Sequence, residues 1–250
     1  MNSQPLNNKI IVVTGATGGI GTAICERCAA AGARLVICFN SNAARAARLA
    51  ARLPGEHMVA QVAVEDSGSL ARLAVAVRER YGAVDVLVNN AGVTRPVPHA
   101  DLDGLEDALI DQIFRVNWRG AFAAVRAFRP LLENGDGGLV INMSSVAGTT
   151  GFGSNVAYCA SKAALDSLTR SLARALAPAI RVLSIAPGMV EGEYTQRFDP
   201  AMLEEQRRRT PLQRIATNED VADAVLAAAT LLTFSTGDII HVDGGRPLGS

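Results

Sequence analysis

Aromatic residues are scarce in this chain, at 4% of 250 positions, so bulky rings contribute little to its interior. Ala, Val, Leu and Gly are plentiful instead, a mix suited to Ala-rich helices packed closely on Val/Ile/Leu strands. There is no surplus of charge: 24 Lys and Arg offset 24 Asp and Glu, and the sequence pI is about 6.8. No net field therefore draws nucleic acid or an anionic membrane. The run Arg207-Arg208-Arg209 follows Glu204-Glu205 and reads as a solvated helix face. No apolar run approaches the ~18–20 residues of a membrane span. The opening MNSQPLNNK has neither the basic nor the apolar region of a secretory signal. Cysteine is limited to Cys25, Cys28, Cys38 and Cys159, and histidine to His57, His99 and His241. Cys25 and Cys28 form a C-x-x-C, but no second Cys/His pair at ligand spacing accompanies it. No metal site is expected, and the thiols read as free groups on a buried helix face. A soluble protein of a reducing, cytoplasmic setting fits these absences.

What the chain has is alternation. Short apolar runs occupy residues 10–14, 34–39, 58–62, 84–89, 139–143, 181–185 and 238–242. Most are Val/Ile-rich without polar alternation, as in strands covered on both faces. Between them lie Ala/Leu/Arg stretches with helical spacing, clearest at Leu165, Leu168, Leu172 and Leu176. Such alternation predicts βαβ units in one doubly wound α/β domain over residues 1–250, a parallel sheet with helices on both faces. No internal repeat or low-complexity linker divides the chain. One stretch breaks the rhythm. Residues 188–214 follow a strand, contain no strand-like run, and include Pro200 and Pro211. Long excursions of this kind are commonly functional, so a substrate lid is expected there.

The first apolar run leads into TGATGGIGTAI, which sets Gly15, Gly19 and Gly21 at a strand-to-helix turn, with an apolar helix starting near Ile20. Glycines let the backbone approach a pyrophosphate, and the helix N-terminus offers N–H groups and a positive dipole end. A P-loop needs Lys followed by Ser/Thr after the second glycine, and that pair is absent. The spacing G-x-x-x-G-x-G differs from G-x-G-x-x-G, yet the place between strand and helix favours dinucleotide binding. Tyr158 and Lys162 lie four residues apart in NVAYCASKAAL, just over one helical turn, and so share a helix face. A free tyrosine titrates near pH ~10. A neighbouring cation favours the phenolate and brings the phenol toward the range of an acid–base catalyst. Taken alone, such a pair also occurs by chance on solvated helix faces.

Together these segments resemble the short-chain dehydrogenases/reductases. TGATGGIG, NNAG at residues 89–92, Ser145, Tyr158-x-x-x-Lys162 and Pro187-Gly188 follow one another in that family's order, and the likeness runs from residue 9 to 245. Ser145 precedes Tyr158 by thirteen residues, and Asn117 in FRVNWRG matches the family's catalytic asparagine. VDVLVNNAGVTR and HVDGG are most similar to the 3-oxoacyl-[acyl-carrier-protein] reductase branch. The resemblance implies that Tyr158 gives a proton to a carbonyl oxygen in reduction, or takes one in oxidation. It implies that Lys162 lowers the tyrosine pKa and binds the nicotinamide ribose, that Ser145 hydrogen-bonds the carbonyl oxygen, and that Asn117 holds a water linking Lys162 to solvent. It also implies a cofactor cradle. Gly15, Thr17, Gly18, Gly19, Ile20 and Gly21 supply the turn, and Asn40 and Ser41 follow the second strand. Val64 follows the third strand, Asn90, Ala91 and Gly92 the fourth, and Pro187, Gly188 and Val190 the sixth, with Tyr158 and Lys162 completing the set.

The second strand, RLVICFNSN, puts Phe39 where NAD enzymes carry an acid that bonds the ribose 2′-OH. Asn40, Ser41 and Asn42 can donate hydrogen bonds to a 2′-phosphate, and Arg45 lies just beyond. NADPH is therefore expected over NADH, although Gly18 stands where many NADP-binding relatives carry arginine. Ala63 replaces an acid that contacts adenine, which leaves Val64 backbone contacts or Glu65 or Asp66. Gly192 replaces a threonine beside the nicotinamide amide, so either Thr195 is displaced into the role or the contact is missing. NGDGG and LAPAI, where carrier-protein reductases dock their acidic partner, carry no basic residue. The expected reaction is NADPH-dependent reduction of a small carbonyl compound, a 3-oxoacyl thioester or related ketone. The alternatives are NAD-linked alcohol oxidation and a non-catalytic dinucleotide-binding role. Leu168, Leu172 and Leu176, with Phe122, Val125 and Phe128 in the helix at 119–132, offer more apolar surface than one sheet face needs. Relatives bury such helices between subunits, so a homotetramer is expected, with a dimer as the smaller alternative.

Overall fold

Each of the seven apolar runs forms a strand: β1 (Ile10–Val13), β2 (Arg34–Phe39), β3 (Met58–Gln61), β4 (Val86–Asn89), β5 (Gly138–Met143), β6 (Ile180–Pro187) and β7 (Ile239–Val242). This is a computed structural model of the protein, and it describes residues 4–135, 137–192 and 195–246. The strands form one parallel sheet in the order β3-β2-β1-β4-β5-β6-β7. Between them run α1 (Gly19–Ala30), α2 (Ala43–Arg52), α3 (Ser67–Tyr81), α4 (Asp107–Phe114), α5 (Ala121–Leu132), α6 (Ala147–Thr150), α7 (Val156–Leu176), α8 (Pro200–Arg209) and α9 (Asn218–Thr230).

The lack of polar alternation in the central strands has a direct cause. Successive side chains point to opposite faces, and both faces are covered. In β1, Ile11 and Val13 join a core with residues of α1, α2 and α9, while Ile10 and Val12 join a second core with α3, α5 and α7. The outermost strands differ: β3 alternates between half-buried and exposed residues, and β7 contains no buried residue. Cys25 and Cys28 lie in the first core, and burial pushes the Cys28 thiol up to about 12. The chain winds outward in both directions from β1 and β4. The crevice between them, at the carboxyl ends of the strands, is where such sheets bind ligands.

The structure corrects one expectation. Val125 and Phe128 are buried against the chain's own sheet, at 3% and 0% exposure, and offer no surface to another subunit. What remains half-exposed on these helices is a satellite cluster in which Trp118, Phe122 and Leu172 pack on Ala121, Leu165 and Leu168. Trp118 and Phe122 stack with ring centroids 6.0 Å apart. Residues 188–214 hold a short 3-10 turn (Thr195–Arg197) and α8, in which no residue is buried. Arg207, Arg208 and Arg209 lie on α8 and pair with neighbouring acids. No helix among the described residues is long and apolar enough to cross a membrane.

Candidate active site

The turn after β1 is shaped by packing. Gly15 has φ of +62°, and a Cβ there would lie 2.9 Å from the Ala91 Cα. A Cβ on Gly21 would lie 2.4 Å from the Gly15 carbonyl oxygen. The Asn90 amide donates to the carbonyls of Thr14 and Gly15 at 3.0 and 2.9 Å. The Thr14 hydroxyl accepts from the backbone N–H groups of Asn90 and Ala91, both at 3.0 Å. The side chain of Asn90 is thus committed to holding the turn onto the end of β4. Thr17 and Ile20 are half-buried beside the exposed Gly18 and Gly19. No side chain caps α1 at Gly18. The N–H groups of its first turn therefore suit an anion, and the residues present fit the pyrophosphate of a dinucleotide.

At the second strand Phe39 is 8% exposed and belongs to the core shared with α1 and α2. Asn40, Ser41 and Asn42 beyond it are exposed. Asn42 caps α2 by accepting from the Arg45 N–H at 2.9 Å, so Asn40 and Ser41 are the polar side chains not engaged in that cap. At the third strand Val64 is buried. Asp66 caps α3 through the Gly68 N–H at 2.8 Å and lies 3.5 Å from the Arg72 guanidinium. At the sixth, the Gly188 N–H bonds Val242, and Val190 bridges to Ala216. The Thr195 hydroxyl accepts from the Gly192 N–H at 2.9 Å and is buried, so Thr195 folds back onto the position where threonine was lacking. Within the expected lid, Glu193 and Tyr194 lie outside the described residues.

Tyr158, Lys162, Ser145 and Asn117 gather beside this crevice. Asn155 is the N-cap of α7: its carboxamide oxygen accepts from the Tyr158 N–H at 2.7 Å, and its amide donates to the Arg95 carbonyl at 2.8 Å. The cap thus fixes both the helix start and the facing loop, and such caps contribute ~1 kcal/mol. Lys162 is 6% exposed, and its Nζ donates to the Met143 carbonyl at 2.7 Å. The Nζ lies 5.6 Å from the centre of the Tyr158 ring. Burial lowers the Lys162 pKa to about 8, with the Asp166 carboxylate opposing the fall. Ser145 is half-buried just past β5, and its hydroxyl accepts from the Ala147 N–H at 3.2 Å. A Cβ on Gly148 would strike the Lys162 backbone at 2.8 Å, and one on Gly153 would reach within 3.4 Å of the Tyr158 ring. Glycine at these places lets the segment from Ser145 lie directly on α7. Gly92 sits between Asn117 and Lys162: a Cβ there would be 3.4 Å from Asn117 Oδ1 and 3.8 Å from Lys162 Nζ.

Asn117 occupies a π-helical segment (Arg115–Gly120), an irregularity often found at functional sites. Its side chain is held at both ends: Oδ1 accepts from the Val93 N–H at 2.8 Å, and Nδ2 donates to the Val93 carbonyl and to the Ser161 hydroxyl. Both amide hydrogens are thereby used, while Oδ1 keeps a second lone pair beside Gly92. Sequence reading passed over Asn155, Ser161 and the Met143 carbonyl. Asn155 had a legible signal, an asparagine directly before an apolar helical run. The other two are partners that only tertiary contact brings in.

Comparison with known proteins agrees with this geometry. A family profile described as enoyl-(acyl carrier protein) reductase matches residues 15–246. A protein assigned as ketoacyl reductase 2 of the granaticin polyketide synthase of Streptomyces violaceoruber is 37% identical, the match covering 96% of each chain. The 3-oxoacyl-[acyl-carrier-protein] reductase FabG of Aquifex aeolicus is 34% identical over 96% of this chain and 98% of its own. A Pseudomonas aeruginosa RhlG/NADP active-site complex superposes with a TM-score of 0.90 at 32% identity, over 98% of this chain and 99% of that one. The chain belongs to the short-chain dehydrogenase/reductase family, nicotinamide-dependent oxidoreductases acting on carbonyl and alcohol groups.

Proposed function

We propose that the protein reduces a carbonyl, a 3-oxoacyl thioester or related ketone, to the alcohol with NADPH. One observation carries this reading: Tyr158 and a buried Lys162 share one face of α7, in a sheet whose switch point opens on the uncapped N-terminus of α1. The bound nicotinamide supplies the hydride. Tyr158 supplies the proton to the carbonyl oxygen, so hydride and proton together convert C=O to CH–OH. The Lys162 ammonium favours the phenolate that the proton transfer leaves behind. The Ser145 hydroxyl donates to the same carbonyl oxygen and stabilises its growing charge. A water beside Asn117, which lies next to Gly92 and Lys162, returns a proton toward Lys162. Gly15, Thr17, Gly18, Gly19, Ile20 and Gly21 receive the pyrophosphate, and Asn40 and Ser41 the 2′-phosphate. Val64, Asn90, Ala91 and Gly92 border the adenosine and ribose, and Pro187, Gly188 and Val190 the nicotinamide. NADPH is favoured because the second strand ends in a core phenylalanine followed by exposed amide and hydroxyl groups, with no acid to repel a phosphate. Relatives named for ketoacyl reduction and for an NADP complex point the same way.

Residues 188–214 are read as a lid; within it Arg207 of α8 meets Glu191 at 3.2 Å, while Gln206 accepts from Arg246 and the Leu212 N–H donates to the Gly244 carbonyl, both beyond β7. The half-exposed Trp118, Phe122 and Leu172 are read as part of a contact between subunits of a homotetramer. Light scattering at micromolar concentration tests the assembly, and a monomer would refute it. The function is tested by NADPH and NADH absorbance with a panel of 3-oxoacyl thioesters and simple ketones. Turnover of at least one member with the higher kcat/KM on NADPH is expected. Turnover that favours NADH, or none on any carbonyl, would overturn the reading.

A further inference from the structure

Behind Tyr158 and Lys162 the protein buries a carboxylate that the chemistry above leaves unused. Asp166 lies one turn beyond Lys162 on α7 and is 4% exposed. Its Oδ1 has no hydrogen-bond partner among the described residues. A buried carboxylate without full pairing is costly, so stability alone favours an apolar or amide side chain here. Helical side chains lean toward the N-terminus, which sets this carboxylate beside the turn that carries Lys162. The surroundings keep it ionisable. Burial raises its pKa, while the hydroxyls of Ser144 and Ser184 favour the charged form, as do Arg170 on the same helix and His241 on β7. Ser144 lies directly beside Ser145 at the end of β5, and Ser184 lies on β6.

The groups around Lys162 explain why a charge belongs there. The end of β5 presents the Met143 carbonyl, the segment after β4 presents Gly92, and the π-helical segment presents Asn117. None of these titrates. On its own helix Lys162 has Tyr158 one turn before it, with Nζ 5.6 Å from the centre of that ring, and Asp166 one turn after it. We propose that Asp166 is a positioning residue for this reaction, its carboxylate holding Lys162 in the ammonium form beside Tyr158. The inference rests on the reading of Tyr158 and Lys162 given above. Asp166 touches neither substrate nor cofactor and acts only through the lysine.

The sign follows from charge. Removing the carboxylate takes away an attraction that favours the ammonium, so Lys162 loses its proton at lower pH. The test is the pH profile of kcat/KM for reduction by Asp166→Asn, Asp166→Glu and the wild type, with circular dichroism melts to verify folding. For Asp166→Asn the alkaline limb should move down by roughly 0.5–1 pH unit, with the acid side little changed. Asp166→Glu should restore most of the shift. A profile for folded Asp166→Asn that superimposes on the wild type overturns the inference. If Asp166→Asn does not fold, Asp166→Ser serves: it removes the carboxylate, keeps a small polar side chain, and should move the limb the same way. No movement there overturns the inference equally. Lys162→Met separates the two readings. If it retains wild-type turnover, the role of Lys162 fails. If it abolishes turnover while the Asp166 profiles do not move, only the role of Asp166 fails.

Discussion

Gly21→Ala should damage cofactor binding more than it damages the fold, and the geometry sets the scale. The new methyl would lie 2.4 Å from the Gly15 carbonyl oxygen and 2.8 Å from both the Ala16 Cα and the Asn90 Nδ2. Ordinary contact lies at ~3.5 Å, so the first approach is too close by about 1 Å. Two of these atoms are backbone and cannot swing aside. Overpacking of this kind costs ~1–3 kcal/mol, against at most ~1 kcal/mol gained from replacing glycine by alanine in a helix. The expected net loss of ~1–2 kcal/mol lowers Tm by about 2–8 °C in a domain of this size. The carbonyl that must retreat is the one the Asn90 amide and the Gly18 N–H hold, so the turn that receives the pyrophosphate shifts with it. NADPH should bind at least ~10-fold more weakly, the equivalent of 1.4 kcal/mol. Gly18→Ala is the control: its backbone is extended, at φ of −74°, and its Cβ would meet only the Gly15 oxygen, at 3.6 Å. Fluorescence titration of NADPH and thermal melts of both variants measure the difference. Wild-type NADPH affinity in Gly21→Ala, or equal damage from Gly18→Ala, would refute the reasoning.

Gly18→Arg should fit the same open position and add a cation toward the 2′-phosphate, raising the preference for NADPH over NADH by ~10-fold or more, as a charge-assisted hydrogen bond would; a ratio of kcat/KM values that stays still would remove Gly18 from the phosphate site. Reduction should fall as pH rises through about 8, where Lys162 loses the proton that makes it useful to Tyr158, and a profile flat from pH 7 to 9.5 would contradict the lysine's role. Substitution of Phe198 or Met202 in the 188–214 segment should change substrate preference more than NADPH affinity, and hydrogen exchange in that segment should slow on adding cofactor and product; equal protection with and without them would exclude a lid.

Much of the fold was legible because a strand covered on both faces must be apolar along its length. The runs at residues 34–39 and 139–143 match β2 and β5 to within a residue, and β6 continues two residues beyond its run to Pro187. The run at residues 84–89 begins two residues before β4, and there the Asp85 backbone already bonds the Ile10 carbonyl and the Leu139 N–H while its side chain holds Lys9 and the Ile10 N–H. The candidate site was legible where spacing along one element carries it, as with Tyr158 and Lys162 on α7. It was less so where tertiary contacts decide. The Asn117 side chain is bound up with Val93, and nothing in FRVNWRG reveals that partner. Phe122 and Phe128 look alike in sequence, yet one is half-exposed and the other wholly buried, because the two lie on different sides of α5. Asp66 could have been read as an N-cap from its place before an Ala/Leu helix.

The central claim is that Tyr158 carries the proton, and Tyr158→Phe tests it most directly because the substitution removes one hydroxyl and leaves the ring. On a carbonyl substrate that the wild type reduces, kcat should fall by ~10²–10⁴-fold, the usual contribution of a general acid, while NADPH affinity and Tm stay near those of the wild type. A kcat within a few-fold of the wild type would contradict the account.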